Sequence, residues 1–244
     1  MLYIMSCRLL REEVPSFEQY PFGIPAVRSL EELEFHKPVT FIVGENGMGK
    51  STLLEALAVC CGFNPEGGGK NFNFSTYNSH SDLSSYLHLS KSYKLPRDGY
   101  FLRAESFYNV SSEVERLDAI PGRTPPISHS YGGPLHEKSH GESFFALMNN
   151  RMGGNGLYLL DEPEAALSPM RQLAMLSIID KLVQGDSQLI ISTHSPILMA
   201  YPQAEIYLLT DEGIRRVEYT QTEHFQVTRD FLNNPQSYLR HLLD

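Results

Sequence analysis

The 244-residue chain contains no apolar run as long as eighteen residues, so no segment qualifies as a bilayer-spanning helix. Its opening stretch, "MLYIMSCRLLREEVP", lacks the basic-then-apolar order and the small-residue cleavage site of a secretory signal. Cysteine is scarce. The three present include the adjacent Cys60 and Cys61 in an apolar segment, which does not make a disulfide framework and reads as reduced, buried thiols. A cytoplasmic location is therefore expected. Basic residues are also few: 20 Lys and Arg stand against 29 Asp and Glu, a net charge of −9. A surface wholly devoted to nucleic acid would draw its affinity from Lys and Arg on phosphates. DNA is thus not indicated by the net charge, although a local basic patch remains compatible with it. No repeat with a period of about 20 to 50 residues and no heptad run is visible, which excludes solenoids and long coiled coils.

The elements that are present alternate. Residues 1–43 read as strands and turns ending in the branched and aromatic run Val39 to Val43, suited to a buried strand. A glycine-rich turn follows, then a helix from about Ser51 to Cys61 with Leu53, Leu54, Leu57 and Ala58 on one side. Residues 62–99 are rich in Gly, Asn and Ser and read as loops and short elements. A strand is expected from Tyr100 to Ala104. Four prolines in residues 118–140 argue against a continuous helix before Gly141. Helices at about 142–152 and 169–184 then alternate with strands at 157–161 and 188–192, followed by strands near 205–210 and 214–219 and a helical tail. This order implies an α/β fold with a mostly parallel sheet and functional loops beyond the carboxyl ends of its strands.

"VGENGMGKST" fits the phosphate-loop pattern, Gly44 followed after four residues by Gly49-Lys50-Ser51, between an apolar strand and a helix. Gly44, Gly47 and Gly49 allow successive N–H groups, those of Glu45 and Asn46 among them, to surround a polyphosphate. The helix N-terminus adds its positive end. Lys50 is expected to reach the β- and γ-phosphates, Ser51 to bind Mg²⁺ and Thr52 to add a phosphate contact. A glycine turn without ligand is the alternative, and the strand-loop-helix context argues against it.

"LYLLDEPEAALS" ends an apolar strand at Asp161. A carboxylate there can sit beside the phosphate loop and hold Mg²⁺. Glu162 then points elsewhere, toward a water in line with the γ-phosphorus. The competing reading is an acidic first helical turn. A third segment, "KSHGES" (residues 138–143), runs into a helix with Ser and Gly at its start. It suits an anion, or else an ordinary N-cap by Ser139.

Together these residues resemble the ABC-type ATPase superfamily: "GENGMGKST", "LYLLDEPEAALS" and "ISTHSP" occur in the family's order, each after a strand. The resemblance spans about residues 39–210 and implies a P-loop NTPase fold with antiparallel N-terminal strands and a small helical lobe at about 105–150 within a single domain, 1–244. It implies ATP and Mg²⁺ as ligands and His194 as a γ-phosphate contact. It also implies that "KSHGES" is the signature loop, with Ser139, Gly141 and Glu142 matching, and Lys138 and His140 departing from the pattern. In the family that loop completes the partner subunit's site, so a homodimer on ATP is implied. The family's glutamine has no counterpart, since no Gln lies between Gln19 and Gln172. Glu105 is the positional match, as an Mg²⁺ ligand or as a plain surface carboxylate.

The variant "LDEPEAALSP" is similar to soluble ATPases of the RecF, SMC and OLD type and to small bacterial AAA/ABC-type ATPases. Three functions stay open. The first is an ATP-dependent dimer that switches a protein partner or effector, in DNA repair or phage defence. The second is the nucleotide-binding subunit of a transporter. The third is a low-turnover nucleotide sensor in a defence or toxin complex. Tyr20 or Phe22 is expected either to stack on the base or to pack internally. His129, His136 and His140 lack the partners of a zinc set, and Gly67 to Lys70 reads as linker.

Overall fold

The structure, a computed structural model, describes residues 1–69, 81–103, 107–119, 126–133 and 140–243. In chain order the described strands are β1 (Ile4–Leu9), β2 (Glu32–Glu34), β3 (Val39–Gly44), β4 (Leu87–Lys91), β5 (Asp98–Arg103), β6 (Gly156–Asp161), β7 (Gln188–Ser192), β8 (Ala204–Thr210) and β9 (Gly213–Val217). The described helices are α1 (Pro25–Arg28), α2 (Lys50–Cys60), α3 (Phe107–Asp118), α4 (His140–Arg151), α5 (Pro169–Gln184), α6 (Pro196–Met199), α7 (Glu223–Asn233) and α8 (Pro235–Leu243), with short 3₁₀ turns between.

A six-stranded sheet runs β5-β6-β7-β3-β8-β9, and a three-stranded antiparallel sheet runs β2-β1-β4. The first five strands of the larger sheet pair in parallel, and β9 closes its edge antiparallel to β8. This is the α/β fold with a mostly parallel sheet and N-terminal antiparallel strands that the sequence pattern implies.

All residues of β3, β6 and β7 are buried, as expected where both faces of a parallel sheet are covered. Alternation then divides their side chains between two cores. Val39, Phe41, Val43, Tyr158, Leu160, Leu189 and Ile191 face the layer that holds Phe144 and Leu147 of α4 and Met175 and Ile179 of α5. Ile42, Leu157, Leu159 and Ile190 face the opposite layer, with Leu53, Leu54, Leu57 and Ala58 of α2 and Ile4 and Cys7 of β1. The four residues of the predicted stripe of α2 are buried, and Lys50, Glu55 and Ala56 are buried with them, so the helix is covered on more than one side.

Two stretches hold more order than their composition suggests. The first 43 residues include the short helix α1. The Ser- and Asn-rich region includes β4, which pairs with β1 through Cys7 and Leu89. Strand β4 lies at a sheet edge with only its first residue buried, so it carries no clear apolar alternation. Residues 70–80 of that region lie outside the described residues.

A buried amide joins the two sheets. Gln188 Oε1 accepts from the backbone N–H groups of Tyr3 and Ile4 at 2.7 and 2.8 Å, and its Nε2 donates to Ile4 O at 3.0 Å. Gln188 is fully buried, so these backbone groups have no access to water once the amide is removed. Gln188→Ala is therefore expected to destabilise the protein by roughly 2–4 kcal/mol, the cost of leaving two or three buried polar groups unpaired. A urea titration checks this, and a midpoint equal to that of the wild type would contradict it.

Candidate functional site

Strands β3, β6 and β7 end side by side, with Ile42 and Asp161 both in register with Ser192 of β7. The loops that leave these ends carry the phosphate-loop residues, Asp161-Glu162 and Thr193-His194. The three motifs therefore meet at the carboxyl edge of the sheet, where an α/β fold holds its ligands.

The loop from Gly44 to Lys50 depends on its glycines. Gly44 has φ 149°, and a Cβ there would lie 2.5 Å from Leu209 O of the adjacent strand. Gly49, at φ 89°, caps α2 in the left-handed region, and a Cβ would lie 2.7 Å from Ile24 Cγ2. Glu45, Asn46 and Gly47 at the tip are exposed. Lys50 opens α2 and is buried, with Nζ donating to Gly44 O at 2.9 Å and Glu45 O at 3.0 Å. Burial lowers its pKa, while the carboxylates of Glu162, Asp161 and Glu164 oppose the shift.

Ser51, one residue further, donates from Oγ to Asp161 Oδ1 at 3.0 Å. Asp161 is only 5% exposed. Burial pushes its carboxyl up to about 6, against the charge of Arg103 and the Ser51 hydrogen bond. A hydroxyl and a desolvated carboxylate in contact, beside a phosphate loop, make an oxygen donor pair of the kind a hard divalent cation takes. Thr52 follows, partly buried, in the first turn of α2.

Glu162 occupies the left-handed region, φ 48° and ψ 52°, a conformation costing a non-glycine residue about 1–3 kcal/mol. The turn sets its Oε1 3.5 Å from His194 Nε2. Burial and the charge of Lys50 lower the pKa of His194, with Glu162 pulling the other way.

Two residues that the motif reading did not single out support this histidine. Glu164 Oε1 accepts the His194 N–H at 2.6 Å, and burial raises its pKa. His224, on α7, places Nε2 3.0 Å from His194 Nδ1. The acidic cluster "DEPE" marked Glu164 only as a helix-start carboxylate, and nothing local marks His224. A cleft of about 530 Å³ lies between Glu45, Asn46 and His194 on one side and Glu223, His224, Val227 and Thr228 of α7 on the other.

The signature-like segment is only partly described, because Ser139 and Lys138 lie outside the described residues, as does Glu105 beyond β5. Gly141 packs so closely on the turn after β6 that a Cβ would lie 2.4 Å from Ala166 O. Glu142 is exposed and 3.6 Å from Arg171 of α5. Phe22 is buried edge-on against Tyr86, with centroids 4.9 Å apart, and is a packing residue, whereas Tyr20 is 69% exposed. Gly67 and Gly68 join the fold through the antiparallel bridge of Gly68 to Phe101. Among the described residues no group of three or more His, Cys, Asp or Glu is arranged to hold a metal ion; His136 lies outside them.

Comparison with known proteins extends the picture. Residues 18–117 match a family described as "AAA domain". Residues 143–200 match a second AAA domain family, whose description couples it with an AbiEii toxin of a Type IV TA system. No curated protein matches the chain. Among solved structures, a chain assigned to a metal-chelate type ABC transporter in an inward-facing conformation superposes with TM-score 0.51 at 17% identity, over 93% of this chain and 88% of that one. The cbiO1 protein of Clostridium perfringens, part of the ABC transporter complex cbiONQ, superposes with TM-score 0.50 at 16% identity, over 100% of this chain and 99% of that one. The SMC head domain from Thermotoga maritima follows at 0.43 and 16% identity, over 89% and 99%. The first two of these likenesses show the fold.

Asp161 is poised at a cost to stability. Its folded pKa of about 6 lies above the ordinary 3.8, so the folded state holds the proton more tightly than the unfolded chain does. The stabilisation is complete below about pH 4 and is lost as pH rises through about 6. Asp161→Asn, which keeps an acceptor for Ser51, is therefore expected to stabilise the ligand-free protein by about 1–3 kcal/mol near pH 7.5 and by little near pH 4. Urea titrations in chelator at the two pH values measure the difference, and equal effects at both would count against it.

Proposed function

We propose that this chain, whose fold and AAA-domain matches are consistent with the ABC-type ATPase superfamily, binds ATP with Mg²⁺ and hydrolyses it in a head-to-tail homodimer that switches a partner. The observation that carries this reading is the convergence of five side chains at one edge of the sheet. Lys50 is buried under the phosphate loop, Ser51 is bonded to Asp161, and Glu162 faces His194.

In this reading the N–H groups of the loop from Gly44 to Gly49 and the Lys50 ammonium bind the phosphates, with Thr52 adding a hydroxyl. Ser51 and Asp161 would hold Mg²⁺, with Glu105 as a further ligand, direct or through water. The ion supplies charge neutralisation at the β- and γ-phosphates. Glu162 accepts a proton from the attacking water. His194 donates to a γ-phosphate oxygen. These groups enclose the triphosphate from one side only. Ser139, Gly141 and Glu142 of a second copy would close the other side and exclude water, and a two-fold dimer forms two such sites. Tyr20, exposed and upstream of the loop, is the aromatic free to stack on the base. The chain acts as one domain, with residues of about 105–150 as its helical lobe, in the cytoplasm.

The partner is a protein or effector in DNA repair or phage defence. The match to a family associated with a toxin of a Type IV TA system supports the defence setting, including a slow nucleotide sensor. The transporter cassettes among the structural neighbours support a second reading, a nucleotide-binding subunit recruited to separate membrane proteins. Among the described residues no helix is long and apolar enough to cross a membrane, so those membrane proteins would be other chains. Copurification with membranes favours this reading over the first.

Glu162→Gln tests the central reading. Turnover is expected to fall about 10²- to 10⁴-fold, and the variant is expected to run as a dimer by light scattering with ATP and Mg²⁺. A variant that stays monomeric would refute the sandwich. Wild-type turnover measured with and without DNA separates a DNA-stimulated motor from a sensor.

A further inference from the structure

The site contains a second imidazole, from an element that carries none of the nucleotide motifs. His224 Nε2 and His194 Nδ1 are 3.0 Å apart, and the two rings are tilted by 55° with centroids 5.1 Å apart. Burial lowers the pKa of both rings; Lys50 lowers that of His194 further, and His194 and Lys50 lower that of His224 further, so both are neutral near neutral pH. A neutral imidazole has one N–H and one bare nitrogen. Two nitrogens at this distance share a single proton, which leaves two arrangements.

In the first, His194 donates from Nδ1. Its Nε2 is then bare and faces Glu162 Oε1 at 3.5 Å, acceptor against acceptor. His224 would carry its proton on Nδ1, which is buried and has no partner among the described residues. In the second, His224 donates from Nε2. His194 Nε2, which has no partner in hydrogen-bond geometry, then directs its hydrogen at the Glu162 carboxylate 3.5 Å away, a favourable charge–dipole contact, and His224 Nδ1 is bare. Ionised carboxylates only accept hydrogen bonds, and an orphaned buried N–H is the rarer defect. Each arrangement has one buried N–H outside hydrogen-bond geometry, but in the second it faces a carboxylate 3.5 Å away, whereas in the first it has no acceptor among the described residues.

We infer that His224 is a positioning residue: its Nε2–H donates to His194 Nδ1 and holds the Nε2–H of His194 toward Glu162 and the phosphate end of the cleft. Helix α7 is seated for this by Thr222, whose Oγ1 caps it by accepting from Phe225 N at 3.3 Å, and by Phe225 packed on Tyr219 at 4.6 Å. Docking of α7 is thereby a condition for His194 to present a donor. For its kinetic consequence this inference rests on the ATP-hydrolysis reading of the site. The proton arrangement does not.

The experiment has two arms. In the full chain labelled with ¹⁵N and free of nucleotide, long-range ¹H–¹⁵N correlation near pH 8 reads the tautomer of His194, assigned by its loss in His194→Ala. The wild type is expected to show Nε2 protonated and Nδ1 as a hydrogen-bonded acceptor. His224→Leu should move Nδ1 to the position of a bare nitrogen, and His224→Gln, whose amide N–H can donate, should restore it. A wild-type His194 protonated on Nδ1, or a Leu variant with an unchanged Nδ1, overturns the inference. If His224→Leu does not fold, by circular dichroism, His224→Asn, too short to reach Nδ1, replaces it.

In the second arm, ATP turnover should fall about ten- to a hundredfold in His224→Leu, the usual effect of losing a group that orients a ligand-binding histidine. Binding of a fluorescent ATP analogue should change by no more than about twofold, and His224→Gln should recover most of kcat. Equal kcat in His224→Leu and wild type overturns the inference. Absence of turnover in the wild type, with the expected tautomer pattern intact, instead overturns the proposed function.

Discussion

Lys50 is an ammonium 4% exposed to solvent, and three carboxylates, Glu162, Asp161 and Glu164, bear on it. An isolated buried charge is prohibitively unstable, and the surrounding geometry compensates for this one. The carbonyls of Gly44 and Glu45 take two of its three donors. They can do so only because the loop curls back over the start of α2, and that curl needs Gly44 against Leu209 and Gly49 against Ile24. The carboxylates all come from the end of β6 and the turn that follows it, and the parallel register of β3, β7 and β6 brings that end level with the loop from Gly44 to Lys50. Sheet order, glycine placement and the sign of the charges are thus parts of one arrangement.

The backbone at Glu162 follows the same logic. A left-handed turn on a residue with a side chain is unfavourable, yet Pro163 and the 3₁₀ turn behind it (Pro163–Ala166) hold the chain there. The turn separates two neighbouring carboxylates, Asp161 toward Ser51 and Glu162 toward His194. Strand alternation alone would have parted them. The added turn also brings Glu164 under the His194 N–H.

Much of this could be read from the chain because its information is local. The phosphate loop, the acidic strand end and His194 each lie at or just after the end of an apolar strand, and strand pattern plus motif locates them within a few residues. The α/β order and the buried stripe of α2 follow from periodicity in the same way. Where the sequence was silent, the contact is long-range. His224 and Glu164 each meet His194 across 30 residues, and neither has a neighbour in sequence that announces the pairing. Strand β4 was hidden because an edge strand has little apolar alternation to display. Gly141 read as part of an anion loop, and its nearest constraint is steric, the carbonyl of Ala166. Phe22 and Tyr20 looked equivalent as aromatics, and only packing against Tyr86 distinguishes them.

The amide of Gln188 has a consequence for biosynthesis. It binds backbone groups of residues 184 and 185 positions earlier, and Glu205 likewise accepts from His36 across 169 residues. Closure over such separations is slow relative to local structure formation. On the ribosome, β1 therefore emerges long before Gln188, and the bond that ties it to the larger sheet can form only when β7 has left the tunnel. Until then the phosphate loop lacks β7, the neighbour that lies between its own strand and Asp161.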